Sequence, residues 1–298
     1  MFTTDLPSLP CYLNGEYVSL PEAKISVLDR GFIFGDGVYE VVPVYANCLF
    51  RFEHHLARLQ RSLNELRIDN PNSAQQWREI AARLVSSQPD EPTQLIYIQV
   101  TRGVALRDHA MPSNLRPTVF VMCNKMSTPS AQQLHDGVHC VTHEDFRWEK
   151  AHIKSTSLLG AVFARQISVD AGATETIMFR SGLLSEASSS NVWVVKNGQL
   201  LGVPTDNLVL EGIRYGLIEE ICQARGIPFA LRQISREEVL AADEVLLSSA
   251  SKEVLAVTRL DQQPVGQGRP GPVFAELRAG YQAAKSRYCE SQRQERLR

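Results

Sequence analysis

Apolar residues recur along this chain with two different periods, and together these periods predict a mixture of helices and strands. Leu56, Leu59, Leu63 and Leu66 are three and four residues apart, which is the spacing of a helix with one buried face. The run at 94–101 is short and rich in β-branched and apolar residues, as expected of a strand. The pattern therefore predicts an α+β protein.

The same two periods place the remaining elements. An Asn14-Gly15 turn between two short strand-like runs predicts a hairpin over 12–18, and Pro43 is expected to break the strand in which it lies. The predicted elements are helices over 56–66, 77–84, 158–171 and 213–224, and strands over 38–45, 94–101, 118–122, 138–141, 175–179, 192–195 and 244–247.

A change in composition predicts the domain organisation. Between 124 and 131 the apolar periodicity is lost and Ser, Thr and Pro accumulate, which is typical of a linker. We therefore predict an N-terminal α+β domain over 1–124, a linker over 125–133 and a C-terminal domain over 134–298.

Composition narrows the class of partner. The 298 residues are 44% hydrophobic and 21% charged, and their net charge of -2 comes from mixed acids and bases, so a nucleic-acid surface is not expected. The six cysteines lack metal-binding spacing, and the apolar runs are too short to cross a membrane. No basic segment precedes an apolar core near Met1, so we expect a cytoplasmic protein with small-molecule substrates.

Two segments carry the clearest chemical signal, 151–160 with Lys154 and 184–191 with Glu186. Pyridoxal 5'-phosphate (PLP) needs an amine to hold its aldehyde and an acid to keep its pyridine nitrogen protonated. Taken alone, Lys154 is equally a surface lysine and Glu186 an exposed acid in a turn. The serines at 188–190 favour the first interpretation, because short hydroxyl side chains leave room for a polar ring.

Two further features suit anions. Gly212, Ile213 and Arg214 lie at the start of a predicted helix, where backbone N–H groups and the helix dipole favour a phosphate. Arg107 and His109 are two residues apart, so an extended backbone turns both side chains to one face as a possible carboxylate clamp. The alternative is that both residues belong to an exposed polar loop.

The motifs together resemble those of the class IV (fold type IV) PLP-dependent aminotransferases, in order along most of the chain. This family includes D-amino-acid aminotransferases, branched-chain aminotransferases and aminodeoxychorismate lyases. The resemblance implies a two-domain fold with a smaller N-terminal α/β domain and a larger C-terminal domain with a β-barrel-like core. The segments that carry it are 29–40, 54–59, 153–159, 185–191 and 210–214.

The resemblance also implies roles for individual residues. Lys154 matches the lysine that forms the Schiff base, and Glu186 matches the acid that pairs with the pyridine nitrogen. The other matches, all to cofactor contacts, are Arg58 to the phosphate, Leu210 beneath the ring, the amides of Ile213 and Arg214 to the phosphate, and Ser249 in a second phosphate turn. Leu210 is equally read as a core leucine. Arg214 and Ala250 stand where the family often has threonine, so two hydroxyl contacts are missing.

The substrate class depends on the Arg-x-His pattern. Within the family it is similar to the D-amino-acid aminotransferases, where the arginine, the histidine and an upstream tyrosine hold the substrate carboxylate. Tyr39 matches that tyrosine, and Tyr97 is a further candidate that faces either the pocket or the core. The resemblance thus implies a ping-pong transamination of D-amino acids such as D-alanine, with a 2-oxo acid as acceptor.

Three alternatives stay open at this point. A branched-chain L-aminotransferase would make Arg107 and His109 incidental, an aminodeoxychorismate lyase would use the same lysine to eliminate pyruvate, and a PLP-binding protein without activity would not respond to amino acids. The resemblance further implies a homodimer whose active sites are completed by a neighbouring subunit.

Overall fold

The computed structural model describes residues 7–296. The contacts between residues divide this part of the chain into two compact units. The first holds the residues up to Ser127, the segment Ile153–Leu158 and the chain from Gln292 onward; the second holds Thr128–His152 and Leu159–Ser291. The segment that carries Lys154 thus belongs to the first unit, although the chain on both sides of it belongs to the second.

The first unit is built on a six-stranded sheet with the strand order β2-β1-β6-β5-β3-β4, in which every neighbouring pair is antiparallel. Its elements are β1 (Pro10–Leu13), β2 (Glu16–Ser19), a 3-10 turn (Leu20–Glu22), α1 (Arg30–Phe34), β3 (Gly37–Tyr45), β4 (Cys48–Leu49), α2 (Phe52–Glu65), α3 (Ala74–Ser86), β5 (Thr93–Thr101) and β6 (Thr118–Lys125).

Helices α2 and α3 cover one face of this sheet because each has a single apolar stripe. The predicted leucine spacing holds: Leu59 and Leu63 on α2 are almost completely buried, and on α3 Trp77 is buried too. Ser73 starts α3 with a capping box, in which its hydroxyl accepts from the amide of Gln76 and the Gln76 side chain accepts from the Ser73 amide. The hairpin predicted around Asn14-Gly15 is confirmed as β1 and β2.

The expected break at Pro43 is wrong. Strand β3 runs unbroken from Gly37 to Tyr45 and pairs with β5 along its whole length. On its other side β4 pairs only from Val44 onward, so the missing N–H of Pro43 costs no ladder hydrogen bond there. The Pro43 carbonyl accepts a hydrogen bond from the Phe50 amide instead.

The second unit contains a nine-stranded sheet whose main path is β12-β11-β10-β13-β14-β7-β8-β9, with β15 beside β14. Its elements are α4 (Ala131–Asp136), β7 (Val138–Glu144), α5 (Leu159–Asp170), β8 (Glu175–Arg180), β9 (Leu183–Ala187), β10 (Asn191–Lys196), β11 (Gln199–Gly202), α6 (Arg214–Arg225), β12 (Phe229–Leu231), α7 (Arg236–Leu240), β13 (Glu244–Ser249), β14 (Glu253–Leu260), β15 (Gln263–Pro264) and α8 (Pro272–Arg296) up to Ser291.

Apolar strands supply most of the core of the second unit. Strands β10 and β13 are nearly continuous buried runs, and Trp193 at the centre of β10 is fully buried against Tyr215. The predicted end of α6 is confirmed: Gly226 ends the helix in the left-handed conformation that glycine adopts without strain, with a φ of 66°.

Some elements differ from the sequence prediction. Glu186 lies buried in strand β9, a strand that the sequence pattern did not predict, so the alternative of an exposed acid in a turn is wrong. Helix α4 begins at Ala131, inside the predicted linker. The domain boundaries stay a prediction. Within residues 7–296, no helix combines the length and apolar character needed to span a membrane. The N-terminal residues on which the leader-sequence prediction rested, Met1 to Asp5, lie outside the described part of the chain.

Candidate active site

Lys154 lies against the beginning of strand β3 in the first unit. Its carbonyl accepts a hydrogen bond of 2.9 Å from the Tyr39 amide, and Ser155 forms an isolated bridge with Val38. Its own amide donates to the Ser62 hydroxyl on α2 at 3.3 Å. The backbone of Lys154 is therefore fixed on two sides, while its side chain remains only half-buried.

One predicted site tyrosine, Tyr39, lies beside the lysine amine, and a second, Tyr97, stacks on the first. The Lys154 Nζ atom lies 4.2 Å from the centre of the Tyr39 ring, and the Tyr39 and Tyr97 rings stack with their centres 5.7 Å apart. The Tyr97 hydroxyl donates to Gln99 Oε1 at 2.7 Å. Burial, together with the neighbouring Tyr39, raises the pKa of Tyr97 to about 12. Tyr97 therefore belongs with Lys154 and Tyr39 and remains a neutral hydrogen-bond donor at neutral pH.

Arg58, predicted to bind the phosphate, pairs with a buried glutamate. Its Nε and Nη2 atoms donate to the two oxygens of Glu40 at 2.7 and 2.9 Å, and His55 Nδ1 lies 2.8 Å from the same carboxylate. Glu40 follows Tyr39 in β3 and so points to the opposite face of the strand. The sequence did not predict this ion pair, and the phosphate contact of Arg58 stays a prediction.

Arg107 and His109 are exposed, and both lie against the aromatic ring of Phe34. The Phe34 ring centre is 5.4 Å from that of His109 and 5.5 Å from the Arg107 guanidinium carbon. The structure thus brings the two predicted clamp residues together around one aromatic side chain of α1. It also brings Lys154, Tyr39 and Tyr97 together as a separate group of contacts.

In the second unit, Glu186 is held by an arginine that the sequence analysis missed. Arg147 donates to Glu186 Oε1, and it also donates to the two oxygens of Asp145 at 2.9 and 2.8 Å. Burial raises the pKa of Glu186, and the charge of Arg147 opposes that rise. Burial also acts on Asp145, but there Arg147 outweighs it and lowers the pKa. The sequence does contain one sign of this arrangement: Asp145 and Arg147 are two residues apart directly after β7, a spacing that favours contact between their side chains.

Asn191 is a second missed residue, and it ties Glu186 to the loop before α6. Its Nδ2 donates to the Leu210 carbonyl at 2.9 Å and reaches Glu186 Oε2 at 3.4 Å. The Leu210 amide also donates to Glu186, at 3.3 Å. A Cβ atom on Gly212 would come within 2.1 Å of Asn191 Oδ1, so only glycine lets the loop approach this closely. Leu210 itself is half-buried and is not a core leucine.

The predicted phosphate-binding elements meet within the second unit. Helix α6 begins at Arg214 without a side-chain cap, so its first turn presents backbone N–H groups. The buried Arg214 side chain donates from Nη2 to the Ala250 carbonyl at 3.4 Å, and Ser249 Oγ accepts from the Lys252 amide at 3.2 Å. Ile213 and Ser249 are both half-buried. The two positions that depart from the family pattern, 214 and 250, are thus in contact.

The serine run does not form the ring cradle suggested by the sequence. The hydroxyls of Ser188, Ser189 and Ser190 all donate to Glu175, which is completely buried. Lys252 Nζ lies 2.6 Å from the same carboxylate. Burial alone would raise the pKa of Glu175, but Lys252 and the hydroxyls outweigh it and lower the pKa. The serines instead hold a buried charge pair that joins two loops of the second unit.

These groups are chemically suited to PLP. Lys154 offers an amine beside the Tyr39 ring, on which Tyr97 stacks. Glu186 offers an acid whose Oε2 accepts only weak bonds of 3.3 and 3.4 Å and can take another donor. PLP also carries a phosphate group, and the uncapped start of α6 offers backbone N–H groups that suit a phosphate.

Comparison with known proteins gives a consistent result. Residues 37–260 match the family described as amino-transferase class IV. The D-alanine aminotransferase of Staphylococcus aureus strain MSSA476 is 40% identical over 281 residues, which cover 94% of this chain and 98% of that protein. The D-alanine aminotransferase of Bacillus licheniformis is 36% identical over 269 residues, covering 90% of this chain and 94% of that protein.

Solved structures show the same fold at lower identity. The branched-chain amino acid aminotransferase of Escherichia coli superposes with a TM-score of 0.86 and 23% identity, covering 91% of this chain and 93% of that one. The T.th. branched-chain enzyme, complexed with N-(5'-phosphopyridoxyl)-L-glutamate, gives a TM-score of 0.85 at 25% identity, covering 95% of this chain and 96% of that one. The chain therefore has the fold type IV architecture and belongs to the class IV aminotransferases, enzymes that use PLP to exchange amino groups between amino acids and 2-oxo acids.

Proposed function

We propose that this enzyme is a D-amino-acid aminotransferase that moves the amino group of D-alanine or a similar D-amino acid to a 2-oxo acid. The observation that carries the proposal is the juxtaposition of Arg107 and His109 on Phe34. A guanidinium and an imidazole that contact the same aromatic ring offer several N–H donors to a carboxylate. The D-alanine aminotransferases that are 35–40% identical support the same substrate class.

The roles of the residues follow from their chemistry. When bound, PLP supplies an aldehyde that takes up the amino group and a ring that withdraws electrons from the substrate Cα. Lys154 would hold the aldehyde between turnovers, and its ε-amine would accept the proton from Cα as a general base and return it as a general acid. Glu186 would accept a hydrogen bond from the pyridine nitrogen, and Arg147 favours the ionised carboxylate that this requires.

The remaining roles concern binding. The amides of Ile213 and Arg214, together with Ser249 and Arg58, would hold the phosphate, and Leu210 would pack beneath the ring. Tyr39, with Tyr97 stacked on it, would line the substrate side near Lys154. Arg107 and His109 would hold the α-carboxylate and so decide which substrate enantiomer presents its Cα proton to Lys154. Amino donor and acceptor would use this site in turn, which gives ping-pong kinetics.

We also propose that the enzyme is a homodimer in the cytoplasm. Helix α5 in the second unit supports the first part, because Leu159, Val162 and Phe163 recur on one face and are 60–70% exposed. Trp148, 48% exposed, adds to the apolar surface of this unit. Exposed apolar surface of this kind is typical of a contact with another protein. The family resemblance implies that the other protein is a second copy of the chain, which would complete the active site. Sedimentation equilibrium tests this: a monomer at micromolar concentration would contradict it.

The substrate proposal is tested by following the visible absorbance of the PLP-loaded enzyme in single turnover. D-alanine should convert the bound cofactor and release pyruvate, whereas L-leucine should not. A response to L-leucine alone would assign the enzyme to the branched-chain class. Silence to both, with pyruvate released from aminodeoxychorismate without an amino acceptor, would assign it to the lyases. An absorbance that responds to none of these compounds would identify a PLP-binding protein without activity.

A further inference from the structure

Helix α1 carries a buried arginine that fastens the loop of the carboxylate clamp. Arg30 is 3% exposed, and its Nε donates to Asp36 Oδ2 at 2.7 Å. Its Nη1 donates to the backbone carbonyl of Asp108 at 2.6 Å. Asp108 lies between Arg107 and His109, so this hydrogen bond fixes the backbone at the centre of the clamp.

The anchor is itself rigidly held. Asp36 also accepts from Arg102, which donates from Nε at 2.8 Å and from Nη2 at 3.0 Å. Burial alone would raise the pKa of Asp36, but the two guanidinium groups outweigh it and lower the pKa. Arg30 therefore keeps a charged partner on one side of its guanidinium while the other side holds the loop.

Phe34, one turn further along α1, contacts both clamp side chains and the anchor. Its ring centre lies 4.7 Å from the Arg30 guanidinium carbon, 5.5 Å from that of Arg107 and 5.4 Å from the His109 ring centre. Cations are attracted to the face of an aromatic ring at such distances. Gly35 ends the helix directly after Phe34 with a φ of 66°, which fixes the position from which the ring projects.

The clamp residues need such support because they are exposed. A long arginine side chain on a loop has many rotamers, and ordering it when substrate binds weakens binding. A loop backbone held by Arg30 and side chains held against Phe34 are ordered before substrate arrives. Preorganisation of this kind improves substrate affinity without a direct contact.

We propose that Arg30 and Phe34 are positioning residues that preorganise the Arg107/His109 clamp and thereby set the affinity for the substrate carboxylate. The inference rests on the proposed function, because it takes the clamp to bind that carboxylate. It assigns a role to the 29–36 part of the family motif, which the mechanism above leaves without one.

The test compares substitutions of Phe34 in the PLP-loaded enzyme. Phe34→Leu keeps the apolar contact and removes the aromatic face, whereas Phe34→Tyr keeps the face. Phe32→Leu, two residues away on the same helix and 69% exposed, is the matched control. Arg30→Lys keeps a charge beside Asp36 but replaces the two nitrogens that bind Asp36 and the Asp108 carbonyl by one. The measurements are KM and kcat for D-alanine, the inhibition constant of propionate, PLP affinity and the melting temperature.

We expect Phe34→Leu and Arg30→Lys to raise KM for D-alanine and the inhibition constant of propionate by about three- to tenfold. The kcat and the PLP affinity should stay close to those of the unchanged enzyme, because neither residue touches Lys154 in the described contacts. Phe34→Tyr and Phe32→Leu should both leave these two constants close to those of the unchanged enzyme. Propionate is the key readout, since a carboxylate without an amino group reports on the clamp alone.

The results distinguish failure of the positioning inference from failure of the proposed function. If Arg107→Ala raises KM but Phe34→Leu and Arg30→Lys do not, the positioning inference is overturned and the proposed function stands. The inference is also overturned if the Phe34 and Arg30 variants lower kcat, PLP affinity and melting temperature together, because that pattern indicates a purely structural role. If the unchanged enzyme fails to convert D-alanine, or Arg107→Ala leaves KM unaltered, both proposals are overturned.

Discussion

Arg58 and Glu40 form a buried, bidentate ion pair inside the first unit, with hydrogen bonds of 2.7 and 2.9 Å. Removing one member of such a pair leaves the other charge buried without compensation, so Glu40→Gln should lower the free energy of unfolding by about 3–5 kcal/mol. Chemical denaturation at pH 7 measures this. A loss of under about 1 kcal/mol, the range of an exposed pair, would contradict it.

The same ion pair makes stability depend on pH. Burial would raise the pKa of Glu40, but Arg58 and His55 outweigh it and hold the pKa well below its usual range. Because the folded pKa is depressed, the stabilisation is complete above the unfolded value of about 4.3 and is lost as pH falls below it. As pH is lowered from 7 to 3, the free energy of unfolding should therefore decrease less for Glu40→Gln than for the unchanged enzyme. An equal decrease in the two proteins would contradict this prediction.

The contact of Arg147 with Glu186 predicts a change in the pH dependence of catalysis. Burial raises the pKa of Glu186 and Arg147 opposes the rise, so Arg147→Met should raise that pKa further. The ionised form of Glu186 would then be lost at a higher pH, and the acidic limb of the pH–rate profile should move upward. Arg147→Lys, which retains the charge, should shift the limb less. If the acidic limb of Arg147→Met does not move, Arg147 does not control the ionisation of Glu186 during catalysis.

Gly212 should tolerate no side chain. A Cβ atom there would lie 2.1 Å from Asn191 Oδ1, and Asn191 is held by the Leu210 carbonyl. Gly212→Ala must therefore displace Asn191 or the loop, which should destabilise the protein by about 1–3 kcal/mol and weaken PLP binding. Thermal unfolding with and without PLP tests both effects. Unchanged melting temperatures in both conditions would show that the loop relaxes without cost.

Lys252 should stabilise the two loops joined through Glu175. Lys252→Met leaves the buried Glu175 carboxylate without its cation and should cost about 3 kcal/mol, while Lys252→Arg should retain part of the pairing. Since the pKa of Glu175 is lowered in the folded protein, the loss should diminish as pH falls below the unfolded carboxyl value. Equal stability of the Met and Arg variants would argue against the charge pair.

The sequence predicted local elements well and long-range partners poorly, for a physical reason. The helix around Trp77 and the hairpin at Asn14-Gly15 depend on spacing and turn chemistry within a few residues, and both were correct. Arg147, by contrast, meets Glu186 only because strands β7, β8 and β9 lie side by side. No local pattern encodes which strands are neighbours.

The same reason explains the incomplete prediction of the site. Family motifs identified Lys154 and Tyr39, which the structure brings together, but the resemblance did not reveal that Arg58 pairs with Glu40. The serines at 188–190 were read as a cofactor cradle because their partner, Glu175, lies on another strand. Side chains that serve a distant buried charge cannot be told from ligand-binding ones by their spacing alone.

The most direct test of the D-amino-acid assignment is the chirality of the glutamate that the PLP-loaded enzyme forms from D-alanine and 2-oxoglutarate, resolved by chiral chromatography. Donor and acceptor use the same carboxylate clamp and the same lysine, so the proton should be added to one face only, and we predict D-glutamate with pyruvate as the other product. Formation of L-glutamate, or conversion of L-leucine in place of D-alanine, would contradict the D-amino-acid assignment.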